Sequence, residues 1–262
     1  MAAPTEEAAP GPADGGAPKD LRSFLATLGD DELRRVERPV DPADYDVTGL
    51  LQRLEDEGRF PALLFAEPTD VEGRPTDVRL ASNLFADRRR IARALDLPPE
   101  EWRMGAALEY ARREADRREP TVVPRTEAPV AAVEVPDVAH LPIVRHHRLD
   151  PAPYVNMTPV MRDPETGAYN VAFLRNMVKG GDRLGLHMSP RHNYRIFRAN
   201  EERGEPTRMA VVVGHHPAFY LGALTLAGFD VDEYEFDGRM LGEPLLLTPS
   251  ATWGEDLLVP AD

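Results

Sequence analysis

Asn170, His192 and Glu233 are the residue types in this sequence that together could hold a hard divalent cation: an amide oxygen, an imidazole nitrogen and a carboxylate suit magnesium or manganese. Their spacing does not impose a shared site, because His192 lies 22 residues beyond Asn170 and Glu233 a further 41. A turn Asn, a capping stretch over Ser189–Asn193 and a solvated Glu account equally for the same residues. Arg191 adjoins His192, and the turn Asp163-Pro-Glu-Thr-Gly167 precedes Asn170. Arg175 follows the strand-like run Tyr169-Asn-Val-Ala-Phe-Leu174, and a guanidinium buried there needs an anion such as a substrate carboxylate. Snorkelling to water, or pairing with one of the 45 acidic residues, would serve it as well. Strict alternation sets Asn170 and Arg175 on opposite strand faces unless a bulge intervenes.

Other chemistries are excluded or weakly signalled. There is no cysteine, which removes disulfides, thiolate nucleophiles and Cys-based metal centres. No GxSxG elbow, P-loop or GxGxxG stretch occurs. The adjacent pairs His146-His147 and His215-His216 point apart in extended chain, so neither is a natural chelate. His216-Pro217 reads as the end of a buried strand and the start of a helix. His187, between Leu186 and Met188, either lines a cofactor pocket or satisfies a backbone group. A formal charge of -14 disfavours nucleic acid and anionic lipid, and no apolar run approaches the ~20 residues that span a bilayer. Residues 1–19 are rich in Ala, Pro and Gly without a signal-peptide pattern, and read as a disordered tail on a soluble, cytoplasmic protein.

The elements that must position these residues follow from periodicity. Asp20 caps a helix presenting Leu21, Phe24, Leu25 and Leu28, with Gly29 as its left-handed terminator. Val47, Leu50, Leu51 and Leu54 define a second helix ended by Gly58; 61–65 and 78–84 read as strands. Asp87 caps a third helix, and Pro99 starts a fourth carrying Trp102, Ala106 and Ala107. Residues 20–118 thus form a small α/β domain. Prolines at 120, 124, 129, 136 and 142 make 119–142 a linker with edge strands. A β-rich domain follows over 143–262, with strands at 154–161, 169–178 and 209–213 and a helix over 194–202 ended by Gly204.

The segments Asp163–Gly167, Asn170–Arg175, Gly185–His192, Val213-Gly-His-His-Pro217 and Asp232–Pro244 occur in the order of blocks found in UbiD-like decarboxylases, which the chain resembles. Asp20–Leu25 and Ser82-Asn-Leu-Phe85 resemble that family's N-terminal domain. The resemblance implies an α+β protein whose small α/β domain precedes a β-barrel-like (split-barrel) flavin-binding domain. It implies non-oxidative decarboxylation of an unsaturated or aromatic carboxylic acid with prenylated FMN and Mn2+ or Mg2+, K+ being a candidate accompanying ion. Asn170, His192 and Glu233 match the family's metal ligands, and Arg175 matches the arginine that meets the substrate carboxylate. Ala172, Phe173, Leu174 and Arg191 fall where the cofactor is contacted. A prenyl-flavin synthase is the implied cofactor supplier. The family's proton-donating acidic loop finds no match before Asp262, so the expectation is a cofactor-binding subunit completed by a second chain or a homo-oligomer. A repurposed scaffold and a truncated chain are the alternatives. Asp237 stands where the family has a small residue, and Leu226-Ala-Gly-Phe229 where a Pro-containing cofactor loop is expected.

Overall fold

A computed structural model describes residues 19–135 and 137–262; all of the predicted tail except Lys19, and Pro136, lie outside the described residues. Helix α1 (Leu21–Ala26) starts where expected, with Asp20 and Ser23 forming a reciprocal capping box. It closes on Thr27 rather than on a left-handed Gly29. Strand β1 (Leu33–Val36), helix α2 (Asp46–Asp56), β2 (Ala62–Phe65) and β3 (Leu80–Ser82) follow. β1 and β2 are parallel, β3 is antiparallel to β2, and Gly58 takes the left-handed turn after α2. Val47 and Leu54 of α2 pack on Leu63 and Phe65, so the amphipathic stripe read from the sequence is the face that covers this sheet.

Helix α3 (Arg88–Ala94) is capped by Asp87. The fourth predicted helix is divided: Pro99–Glu101 form one 3-10 turn, and α4 (Met104–Glu114) begins beyond Trp102. Ala92, Leu95 and Ala106 share a core with Phe219, Tyr234, Met240 and Leu245, which ties both helices to the second half of the chain. Lys19, assigned to the tail by composition, is held by Asp96 and the Leu241 carbonyl.

In the Pro-rich stretch only β4 (Thr121–Val122) is a strand among the described residues. The remaining elements are β5 (Tyr154–Val155), β6 (Thr158–Arg162), β7 (Tyr169–Val171), β8 (Arg175–Val178), β9 (Leu184–His187), α5 (His192–Glu202), β10 (Met209–Val212), α6 (Pro217–Gly222), α7 (Glu233–Leu241), β11 (Leu246–Ser250) and β12 (Gly254–Pro260). Their strands form three three-stranded sheets, β10-β6-β7, β12-β11-β4 and β5-β8-β9. The fold is mixed α+β, and none of the sheets closes into the expected barrel. The physical reason is that both long predicted strands break. Asn156-Met157 sends β5 and β6 into different sheets, and Ala172–Leu174 does the same for β7 and β8. Asn170 and Arg175 consequently belong to two sheets, and strand alternation does not relate them.

His216 ends the extended segment before α6 and caps that helix, its Nδ1 accepting from the Ala218 N–H. Its neighbour His215 is stacked on Phe219. Burial pushes His215 down to about 3 and His216 down to about 4, so both stay neutral in the folded protein at pH 5. An unfolded histidine takes up its proton near pH 6.5, so stability is lost as pH falls from 6.5 towards these folded values. The loss is about 2 kcal/mol per histidine between pH 7 and pH 5. His216→Asn keeps a capping oxygen and removes one titration. Urea unfolding at the two pH values is expected to show the variant losing about 2 kcal/mol less than the parent. Parallel losses would mean that His216 is not held neutral.

Candidate functional site

Three elements from distant parts of the chain meet at one point. Asn170 lies on β7, His192 opens α5 and Glu233 opens α7 behind its Asp232 cap. His192 Nδ1 stands 2.9 Å from Asn170 Oδ1 and 3.6 Å from Glu233 Oε1. Asn170 and Glu233 are buried, and His192 is partly open. The other Glu233 oxygen accepts the Val171 N–H, which ties the first turn of α7 to β7. The Asn170 amide donates to Asn193 Oδ1 at 2.7 Å, and this bond turns the Asn170 oxygen towards His192. Asn193 was not singled out by sequence reasoning. The only signal for it was its place directly after His192.

The electrostatics suit a cation. Burial pushes the Glu233 carboxyl up to about 7, with the Val171 N–H opposing and Asp232 adding to the rise. Burial, then Arg195 and Arg191, lower His192, which favours the neutral imidazole a metal requires. An amide oxygen, a carboxylate oxygen and an imidazole nitrogen turned towards one point fit Mn2+ or Mg2+, and the added positive charge would favour ionised Glu233. Among the described residues no group of three or more His, Asp or Glu side chains is arranged to hold a metal, so a cation here would have to draw on the Asn170 amide.

Around this group, the Phe229 ring rests 4.3 Å from the His192 ring, and the Arg195 guanidinium lies 4.8 Å from Phe229. Ala172, Phe173 and Leu174 form the crossing from β7 to β8, and Phe173 is exposed beside Tyr220. Arg191 precedes α5 and is exposed. Arg175 is also exposed, at the start of β8. The structure brings Asn170, His192 and Glu233 together, with His192 in hydrogen-bond contact with Asn170 and 3.6 Å from Glu233, whereas no polar contact links Arg175 or Arg191 to them among the described residues. Asp237, one turn beyond Glu233, is fully buried with both carboxyl oxygens unpartnered, and burial raises it well above the carboxylate range. A Cβ on Gly222 would collide with Asp237, so glycine at 222 is what lets α6 approach α7 here.

The pattern described as the 3-octaprenyl-4-hydroxybenzoate carboxy-lyase Rift-related domain matches residues 121–262, and that of the same enzyme's N-terminal domain matches 28–103. A phenolic acid decarboxylase of Bacillus subtilis is 29% identical over 263 residues, covering 93% of this chain and 54% of its own length. The UbiD-class enzyme HmfF of Pelotomaculum thermopropionicum, solved with FMN, superposes with a TM-score of 0.80 at 32% identity, over 92% of this chain and 52% of that one. An evolved dimeric form of HmfF was solved with prFMN. The vanillic acid decarboxylase ShVdcCD of Sedimentibacter hydroxybenzoicus in closed form gives 0.83 at 26% identity, over 94% and 53%. The chain spans about half the length of these relatives.

Proposed function

Since this chain belongs to the UbiD family of carboxy-lyases, we propose that it supplies the cofactor-holding part of a decarboxylase acting non-oxidatively on an unsaturated or aromatic carboxylic acid. The observation that carries the proposal is the meeting of Asn170 Oδ1, His192 Nδ1 and Glu233 Oε1, drawn from three elements. These three would hold a divalent metal, whose positive charge would help an acidic chain without a P-loop to bind the phosphate of prenylated FMN. Ala172, Phe173, Leu174 and Arg191 would line the cofactor. When bound, prenylated FMN supplies the electron sink for the pair released as carbon dioxide departs. Arg175 binds and orients the substrate carboxylate, its forked donors matching both oxygens.

The product carbon must be protonated by an acid, and neither Glu233 nor Asp237 is suited to it. Glu233 is buried and accepts the Val171 N–H, and Asp237 is sealed against Gly222. We place the donor on a second polypeptide. A prenyl-flavin synthase would supply the cofactor.

Native mass spectrometry of the chain co-expressed with a prenyl-flavin synthase and supplied with manganese tests the proposal. A bound mass equal to prenylated FMN plus metal is expected, and a chain that stays free of both overturns it in favour of a scaffold role. Arg175→Ala should retain that mass while turnover in the completed enzyme falls roughly 10²–10³-fold, the scale of losing a preorganised charge-assisted contact. Unchanged turnover would remove Arg175 from the substrate.

A further inference from the structure

The β8–β9 hairpin carries unpaired positive charge on one face. Its register sets Arg175 opposite His187 and Met177 opposite Gly185, and the Lys179 N–H donates to the Arg183 carbonyl one step further on. Residues 175, 177 and 179 therefore share a face with 183, 185 and 187. The other face is committed to packing: Val178 joins Ile143 and Val155 in a core, and Asn176 donates to the Val155 carbonyl. Arg175, Lys179, Arg183 and His187 are all exposed. Among the described residues, none of their side chains makes an ion pair or hydrogen bond, and Asp182 is the one acid between 175 and 187. Elsewhere exposed arginines such as Arg53 and Arg74 find a carboxylate while Arg34, Arg35 and Arg38 do not, so what distinguishes this group is that its cations share one face.

Lys179 is directed along this face. A Cβ on Gly185 would stand 2.6 Å from Lys179 Cε and 3.5 Å from Cγ, so the lysine stem lies over Gly185 and runs back towards the Arg175–His187 pair. Glycine at 185 leaves the space that the stem occupies. Successive positions on one strand face are roughly 7 Å apart, so Lys179 presents its charge about one such step from Arg175 and His187.

We propose that this face is an anion subsite continuous with Arg175 and its register partner His187, and that the acid handled here carries a second anionic group, carboxylate or phosphate, held by Lys179. The inference rests on the reading that Arg175 meets the substrate carboxylate, and it narrows the substrate class to dianions spanning roughly 7 Å.

Calorimetric titration of the cofactor-loaded chain with benzoate, terephthalate and 4-phosphonobenzoate tests it. At least one dianion is expected to bind about tenfold tighter than benzoate, the yield of one added charge-assisted contact, and the tighter of the two identifies the second group. Lys179→Gln should erase that preference and leave benzoate unchanged. Equal affinity for all three acids, or a preference that survives Lys179→Gln, overturns the proposal. Inorganic pyrophosphate provides a readout independent of the substrate reading, with saturable binding expected to weaken about tenfold in Lys179→Gln and in His187→Gln. If pyrophosphate behaves so while no aromatic acid binds, the subsite stands and the decarboxylase reading fails. If the acids bind through Arg175 with no dependence on Lys179, the decarboxylase reading stands and the subsite fails.

Discussion

Replacing Glu233 by Gln, or His192 by Ala, is expected to abolish metal-dependent flavin retention while the protein stays folded. Glu233 contributes the sole carboxylate of the three-residue group, and Gln cannot offer the negative charge that compensates a dehydrated divalent cation. Gln still presents an oxygen to the Val171 N–H, so the tie between β7 and α7 survives and the circular dichroism spectrum should not change. The loss in manganese affinity is expected to exceed about 100-fold. Asn193→Ala, which removes only the bond orienting Asn170, should cost about 10–100-fold, the range typical of outer partners of a metal ligand. Manganese titration followed by flavin absorbance orders the variants, and equal retention in all of them would remove the cation from this position.

Sequence reasoning reached the members of this group but not its geometry, and the reason is physical. Asn170, His192 and Glu233 are separated by whole elements, so composition and spacing left a turn, a capping stretch and a solvated side chain as adequate explanations. The family resemblance singled them out, and the contact itself depends on α5 starting at His192, two residues ahead of the helix read from periodicity. Helix α7 escaped periodicity altogether because it is buried on nearly every side: Glu233, Tyr234, Phe236, Asp237, Gly238, Met240 and Leu241 are all covered. Local signals succeeded where one element decides the outcome. The caps at Asp20 and Asp87, the turn at Gly58 and the stripe of α2 are legible for that reason. The strands over 154–161 and 169–178 were legible as extended chain, but not as four strands in different sheets. What divides them is the irregular backbone at 156–157 and 172–174, which no period records.

Arg113→Ala is expected to be the most destabilising single change outside the site, by about 3–5 kcal/mol, because it empties a buried polar hub. The guanidinium donates to Glu109, to the Met240 and Leu95 carbonyls and to Asp96. It thereby joins α4 to the end of α7, and a Cβ on Gly242 would stand 3.2 Å from one of its terminal nitrogens. Truncation leaves the buried Leu95 and Met240 carbonyls and part of Glu109 without their donor beside the core that links the two halves of the chain. Hydrogen bonds from Arg112 and Arg113 hold Glu109 down at about 2, so that carboxylate is charged at neutral pH. Arg112 bonds the same carboxylate from the surface, and its removal should change stability little, since solvent replaces an exposed donor. Urea unfolding of Arg113→Ala beside Arg112→Ala separates the two cases. Comparable small losses would mean that the α4–α7 contact is held by apolar packing alone. The expected large loss for Arg113 would identify the guanidinium as what fixes α7, and with it Glu233, against the rest of the fold.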